Sequence, residues 1–103
     1  MHISKTEAEV LHLLVTASGS ELYGLEMVKN SEGKLKRGSI YVILGRLEDK
    51  GFVESRKEVL DESSPPAAPR RLYKATGTGQ RILQAYEKFN NAISKFVPNG
   101  VPA

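Results

Sequence analysis

The side chains of this sequence that could do chemistry are mostly cations, and they are grouped. Between Lys34 and Lys57 stand seven basic residues (Lys34, Lys36, Arg37, Arg46, Lys50, Arg56 and Lys57) against three acidic ones (Glu48, Asp49 and Glu54). Arg70, Arg71 and Lys74 form a second group, and the stretch between the two, Glu58 to Pro69, is acidic and rich in proline. Clustered guanidinium and ammonium groups hold anions, phosphate above all. Taken alone, such charges describe a solvated surface equally well, and a net charge of +3 over 103 residues decides nothing.

Catalytic groupings are missing by comparison. The sequence has no cysteine, which excludes disulfides, thiolate metal sites and a thiol nucleophile. His2 and His12 are isolated, and His12 has no second ligand at metal-binding spacing. Ser63 and Ser64 have no histidine nearby, and no glycine-rich loop follows a strand. The reading is therefore not an enzyme, with no cofactor and no metal. No apolar stretch is long enough to span a bilayer, and no basic segment with an apolar run behind it opens the sequence. A cytoplasmic, non-membrane protein is expected.

The elements that must position these cations follow from hydrophobic spacing. Thr6 and Glu9 have capping-box spacing and predict a first helix carrying Val10, Leu11, Leu14 and Val15 on one face, ended by Ala17 to Ser20. A second helix is predicted over Leu22 to Asn30, with Leu22, Leu25 and Val28 on one face beside Met27, and Gly33 suits the left-handed residue beyond it. A third runs from Gly38 or Ser39 to Lys50 with Gly51 as its stop; Ile40, Ile43, Leu44 and Leu47 share its inner face. Its outer side carries Gly38, Tyr41, Val42, Gly45 and Asp49, with Ser39 and Arg46 on one flank. A tyrosine, a valine and two glycines facing outward suit close approach to another molecule. Phe52 to Lys57 alternates like a strand, Leu72 to Ala75 is a second short strand, and the two read as a hairpin with a long tip. Thr76 or Thr78 caps a last helix reaching about Phe96. In it Ile82, Tyr86, Phe89, Ile93 and Phe96 recur at spacings of 4, 3, 4 and 3, an a/d heptad seam.

This order predicts a mainly α fold with a small β-hairpin, a winged helix-turn-helix (α-α-α-β-β-α). Residues 1–76 form the winged domain, 77–97 a C-terminal dimerisation helix and 98–103 a frayed tail. In helix-turn-helix proteins the second helix of the motif enters the major groove of DNA. Here that is the helix with Lys36, Arg37 and Ser39 at its start and Tyr41, Val42 and Arg46 toward the groove. The hairpin forms a wing whose Arg56, Lys57, Arg70, Arg71 and Lys74 lie near the neighbouring backbone. Strand alternation would send Arg70 and Arg71 to opposite faces, so that at most one reaches DNA from the sheet itself. Tyr41 has a second reading, half-buried against the wing with its hydroxyl bonded locally. Twenty residues of helix span about 30 Å, more than so small a body can cover, so the seam calls for a partner helix from a second copy.

At this point the sequence resembles the PadR family of transcriptional regulators, from about Thr6 to Leu83. Leu22-Tyr23-Gly24-Leu25-Glu26-Met27-Val28-Lys29 is similar to the family's second helix. Gly38-Ser39-Ile40-Tyr41, Arg46-Leu47-Glu48 and Gly51-Phe52-Val53-Glu54 are similar to its recognition helix and first wing strand. Pro69-Arg70-Arg71-Leu72-Tyr73-Lys74-Ala75-Thr76, followed by Gly79, is similar to its second wing strand and the start of its last helix. Arg37, Gly45 and Leu25 depart from a common proline, arginine and tyrosine. Gly45 removes one phosphate contact, for which Arg37 supplies charge. The resemblance implies a homodimeric, sequence-specific repressor of the short form, binding double-stranded DNA through Ser39, Tyr41 and the basic wing. Such families often sense small molecules at the dimer interface, so an unidentified effector is a further expected partner, although no tryptophan or polar cluster marks a pocket here. The competing reading is a winged-helix protein-interaction module that uses the apolar last helix and binds no DNA.

Overall fold

A computed structural model describes residues 3–17, 21–58 and 70–96. The expected wing tip, apart from Glu58, and the expected frayed tail lie outside these residues. The elements run α1 (Lys5–Thr16), β1 (Leu22–Tyr23), α2 (Gly24–Asn30), α3 (Ile40–Asp49), β2 (Val53–Lys57), β3 (Arg71–Ala75) and α4 (Gly77–Phe96). The strands form one antiparallel sheet in the order β1-β3-β2, which packs with the helices around a single core. This is a winged helix, mainly helical with a small sheet.

Two boundaries differ from the sequence reading. The cap of α1 is Ser4, two residues before Thr6. Its hydroxyl accepts the Glu7 amide hydrogen at 3.1 Å, and the Glu7 carboxylate accepts the Ser4 amide hydrogen at 2.8 Å. Both Ser4/Glu7 and Thr6/Glu9 have capping-box spacing. The first prevails because Glu7 is also buried and bonded to Lys50 at 2.7 Å, and because Ile3 and Ala8 on either side of the cap join the core. The second helix begins at Gly24, since Leu22 and Tyr23 pair with Tyr73 and Leu72 as the third strand. Met27 is buried, whereas Leu25 faces outward.

α3 follows its predicted pattern: Ile40, Ile43, Leu44 and Leu47 are buried. Its end is a Schellman motif. The Phe52 amide donates to the Leu47 carbonyl at 2.9 Å, the Gly51 amide to Glu48 at 3.0 Å, and Gly51 takes a φ of 80°. Leu47 and Phe52 supply the hydrophobic contact that accompanies this motif. Phe52 is in turn where α4 docks. Its carbonyl accepts the Thr76 amide hydrogen at 3.0 Å. The Thr76 hydroxyl donates to the Gly51 carbonyl at 2.7 Å and accepts the Gly79 amide hydrogen at 3.0 Å, which makes Thr76 the cap of α4. A Cβ on Gly79 would lie 2.0 Å from the Phe52 carbonyl oxygen, so the close approach requires glycine. From there Leu83 is buried, Ile82 and Tyr86 are partly buried, and Phe89 and Ile93 are 64% and 47% exposed. Phe96 ends the helix, and its side chain lies outside the described residues.

Two predictions follow from this packing. Gly79→Ala lowers unfolding free energy by about 3 kcal/mol, because backbone rather than a movable side chain must give way; denaturant melts check it. For Glu7, burial works to raise the carboxyl pKa, but the bond and charge of Lys50 and the Ser4 amide and hydroxyl outweigh it and hold the value below normal. A lowered carboxyl stabilises the fold fully above the ordinary glutamate value and ceases to do so as pH falls through the lowered one. Glu7→Gln is therefore expected to cost about 1–3 kcal/mol near neutrality, with the gap to wild type closing in acid.

Candidate nucleic-acid interface

The outward face of α3 and the adjoining sheet meet at an open hollow of about 540 Å³. Tyr41 and Val42 on α3 are 52% and 56% exposed. Tyr41 leans back toward the first residue of α2: a Cβ on Gly24 would come within 2.8 Å of its ring. The ring lines the hollow with Tyr73 of β3, Tyr23 and Leu25. One side of the Tyr41 ring rests on α2 beside the wing, and the other is open.

Lys36, Arg37 and Ser39 are exposed at the start of α3. The Lys36 carbonyl accepts from the Ser39 and Ile40 amides at 3.0 and 3.1 Å. Ser39 is the N-cap, but its hydroxyl makes no capping bond, which leaves the first-turn amides without that partner. Such an end is suited to a phosphate oxygen. Arg46 is exposed about two turns further along the helix.

The wing register sorts its cations. Val53, Ser55 and Lys57 pair with Ala75, Tyr73 and Arg71, and Val53 and Tyr73 are buried, so Lys57 and Arg71 extend the core-side face beyond the core. Arg56 and Lys74 stand on the opposite face, and both are paired. Arg56 holds the Glu21 carboxylate through Nε at 2.7 Å and Nη2 at 2.9 Å, and Lys74 reaches Glu54 at 3.2 Å. The Arg56 bond holds the Glu21 carboxyl below its ordinary pKa, and Glu21 raises that of Arg56. Lys36, Arg37, Arg46, Lys57, Arg70 and Arg71 have no carboxylate partner among the described residues.

Arg70 lies before β3, so strand alternation does not separate it from Arg71, and both line the hollow. The Arg70 guanidinium sits 5.4 Å from the centre of the Tyr23 ring. The Tyr23 hydroxyl donates to Glu58, which raises the tyrosine's pKa and ties β1 to the root of the wing. Sequence reasoning missed Tyr23, Gly24, Glu21, Ser55 and Glu48 as parts of this surface. Only the Tyr23-Gly24 pair carried a local signal, within the family-like segment. Among the described residues no group of histidine, aspartate and glutamate could hold a metal, and no helix is long and apolar enough to cross a membrane.

The model of the transcriptional regulator PadR-like family matches residues 10–85, which includes α3, the described wing and the start of α4. The chain belongs to this family. Its members are transcriptional regulators rather than enzymes. No curated protein matches the regulator. Among solved structures it is similar to a PadR family transcription regulator from Clostridium difficile R20291 (24% identity, TM-score 0.72, covering 89% of this chain and 93% of that one). It is also similar to Bacillus subtilis PadR in complex with operator DNA (20% identity, TM-score 0.65, 93% of this chain and 50% of that one). A third is the Streptomyces coelicolor regulator PcaV in complex with its natural ligand (18% identity, TM-score 0.67, 94% and 64%). At these identities the three establish the winged-helix fold of the regulator.

The Tyr41–Gly24 contact is open to a direct check. Gly24→Ala is expected to swing the Tyr41 ring outward at a cost of about 1 kcal/mol, because the obstructing atoms end a rotatable side chain. Tyr41 ring resonances that do not move in the variant would contradict the contact.

Proposed function

We propose that this regulator is a transcriptional repressor that binds a specific double-stranded DNA sequence as a homodimer, α3 lying in the major groove and the wing on the flanking backbone. The observation that carries this reading is the exposed Tyr41 and Val42 on α3 with unpaired cations on both sides: Lys36, Arg37 and Arg46 on the helix, and Lys57, Arg70 and Arg71 on the wing. Apolar and aromatic groups read base edges, while cations and free helix amides fix the register on phosphate. Arg56 and Lys74 contribute less, since their charges are committed to Glu21 and Glu54. That a structural neighbour, the Bacillus subtilis PadR, has been captured on operator DNA supports the same use of the fold here.

The homodimer rests on α4. Phe89 and Ile93 form an apolar strip beyond the core, continuous with Ile82 and Tyr86 and, by spacing, with Phe96. Two-fold pairing is the simplest cover for such a strip, and it sets two recognition helices about one DNA turn, some 34 Å, apart. Residues 1–76 then read DNA and 77–97 dimerise, in the cytoplasm where the DNA lies. Any small-molecule effector would act by changing that spacing.

The test is selection of bound duplex from a random pool, with affinity measured against salt and mass by light scattering. Expected are a two-fold related site, a mass twice that of the chain, and affinity falling steeply with salt. Arg37→Ala and Tyr41→Ala should each weaken binding about tenfold with the fold intact. No DNA affinity at low salt overturns the reading, and a monomer without DNA affinity favours the protein-interaction module instead.

A further inference from the structure

One polar chain on the interface is assigned no role by the reading above. The Ser55 hydroxyl on β2 donates to Glu48 Oε2 on α3 at 2.6 Å and accepts from Arg71 Nε on β3 at 3.2 Å. A carboxylate, a hydroxyl and a guanidinium from three different elements are thus in line. A serine hydroxyl has one hydrogen to give. Glu48 takes it, which turns an oxygen lone pair toward Arg71. The chain alternates donor and acceptor throughout, so each bond polarises the next.

The consequence falls on Arg71. Its Nε is held, while among the described residues neither of its Nη groups has a hydrogen-bond partner. Arg56, one strand away, is the contrast: Nε and Nη2 both close on Glu21, and its fork is spent. Arg71 keeps two terminal amino groups beside the hollow walled by Tyr41 and Tyr73, with Arg70 as its neighbour. A guanidinium held at Nε with its Nη edge free is arranged to grip the paired oxygens of a phosphate. Glu48 also needs explaining on any surface meant for a polyanion, since its own charge opposes binding. It is tolerable there if it orders a cation that contributes more.

We propose that Glu48 and Ser55 are positioning residues that aim Arg71 at a DNA backbone phosphate entering the hollow between α3 and the wing. The relay also sets the wing cation at a fixed distance from the recognition helix, so both engage the duplex in one register. This rests on the DNA-binding reading for its ligand, though not for the relay itself.

Two measurements on the full chain decide it. The first is ¹⁵N relaxation of the Arg71 Nε–H group without DNA. Ser55→Ala should mobilise it, and Ser55→Thr, which restores a hydroxyl on a strand-favouring residue, should hold it as in wild type. The second is affinity for the selected duplex across a salt series. Ser55→Ala and Glu48→Gln should each weaken binding about three- to tenfold and flatten the salt dependence toward that of Arg71→Gln. The double variant Ser55→Ala/Arg71→Gln should be no weaker than Arg71→Gln alone. A merely structural serine would leave the salt slope unchanged, and its loss would add to that of Arg71. Unchanged Nε–H mobility in Ser55→Ala, unchanged affinity, or additive losses each overturn the proposal. If wild type binds DNA and Ser55→Ala binds equally well, this inference alone fails; if wild type binds no DNA, the functional reading fails with it.

Discussion

The structure turns on the joint around Phe52. There the Gly51 and Phe52 amides donate back to Glu48 and Leu47 at the end of α3, while the carbonyls of the same two residues accept from Thr76, which stands between β3 and α4. The Schellman motif brings Phe52 back under Leu47, which fixes the angle at which the chain leaves the recognition helix. Thr76 then satisfies both the Gly51 carbonyl and the Gly79 amide with one hydroxyl, so the same atom closes the sheet and opens the last helix. The fit is so close that the α4 backbone rides on the Phe52 carbonyl where any Cβ would intrude. Backbone hydrogen bonds and the Thr76 hydroxyl thus join the end of α3 to the start of α4 at one place.

With that frame fixed, the cations divide by face. On the outer side of the sheet Arg56 and Lys74 are matched to carboxylates, and Arg56 ties the wing to the residue that precedes β1. On the side shared with α3 the guanidiniums lack carboxylates and are steadied by neutral groups: Arg70 by the Tyr23 ring and Arg71 by the Ser55 hydroxyl. Steadying a cation without neutralising it is what an anion-binding surface needs, since a carboxylate in direct contact would compete with the ligand. Positive charge on the two faces thus means different things.

How far the sequence discloses this depends on the distance over which each signal acts. α3 is legible because its apolar spacing and Gly51 stop are local, and the extent of α4 as a helix is legible for the same reason. β1 was not, since two residues carry no periodicity and its partners, Leu72 and Tyr73, lie far along the chain. The true cap of α1 was hidden behind an equally good local candidate, and what selects it is Lys50, 43 residues away. The partition of the wing cations was equally hidden. Counting charges puts Arg56 and Arg71 in one group, and only the register and the positions of Glu21 and Ser55 separate them. Gly79 could be quoted as part of a family-like segment, but the reason for it, a carbonyl oxygen from the far side of the hairpin, exists only in the folded chain.

The same joint bears on how α4 is held. α4 leaves Phe52 as a rigid rod, buried at Leu83 and progressively uncovered toward Phe89 and Ile93. Its first turn is seated on the Phe52 carbonyl, and its Ile82, Leu83 and Tyr86 pack on the core. Thr76 and Gly79 tie that first turn to Gly51 and Phe52, between α3 and β2. In any two-fold pairing through the exposed strip, the angle between the two α4 rods would then set the separation of the two α3 helices directly. A change of a few degrees at such a strip would become a translation at α3, scaled by the length of the lever.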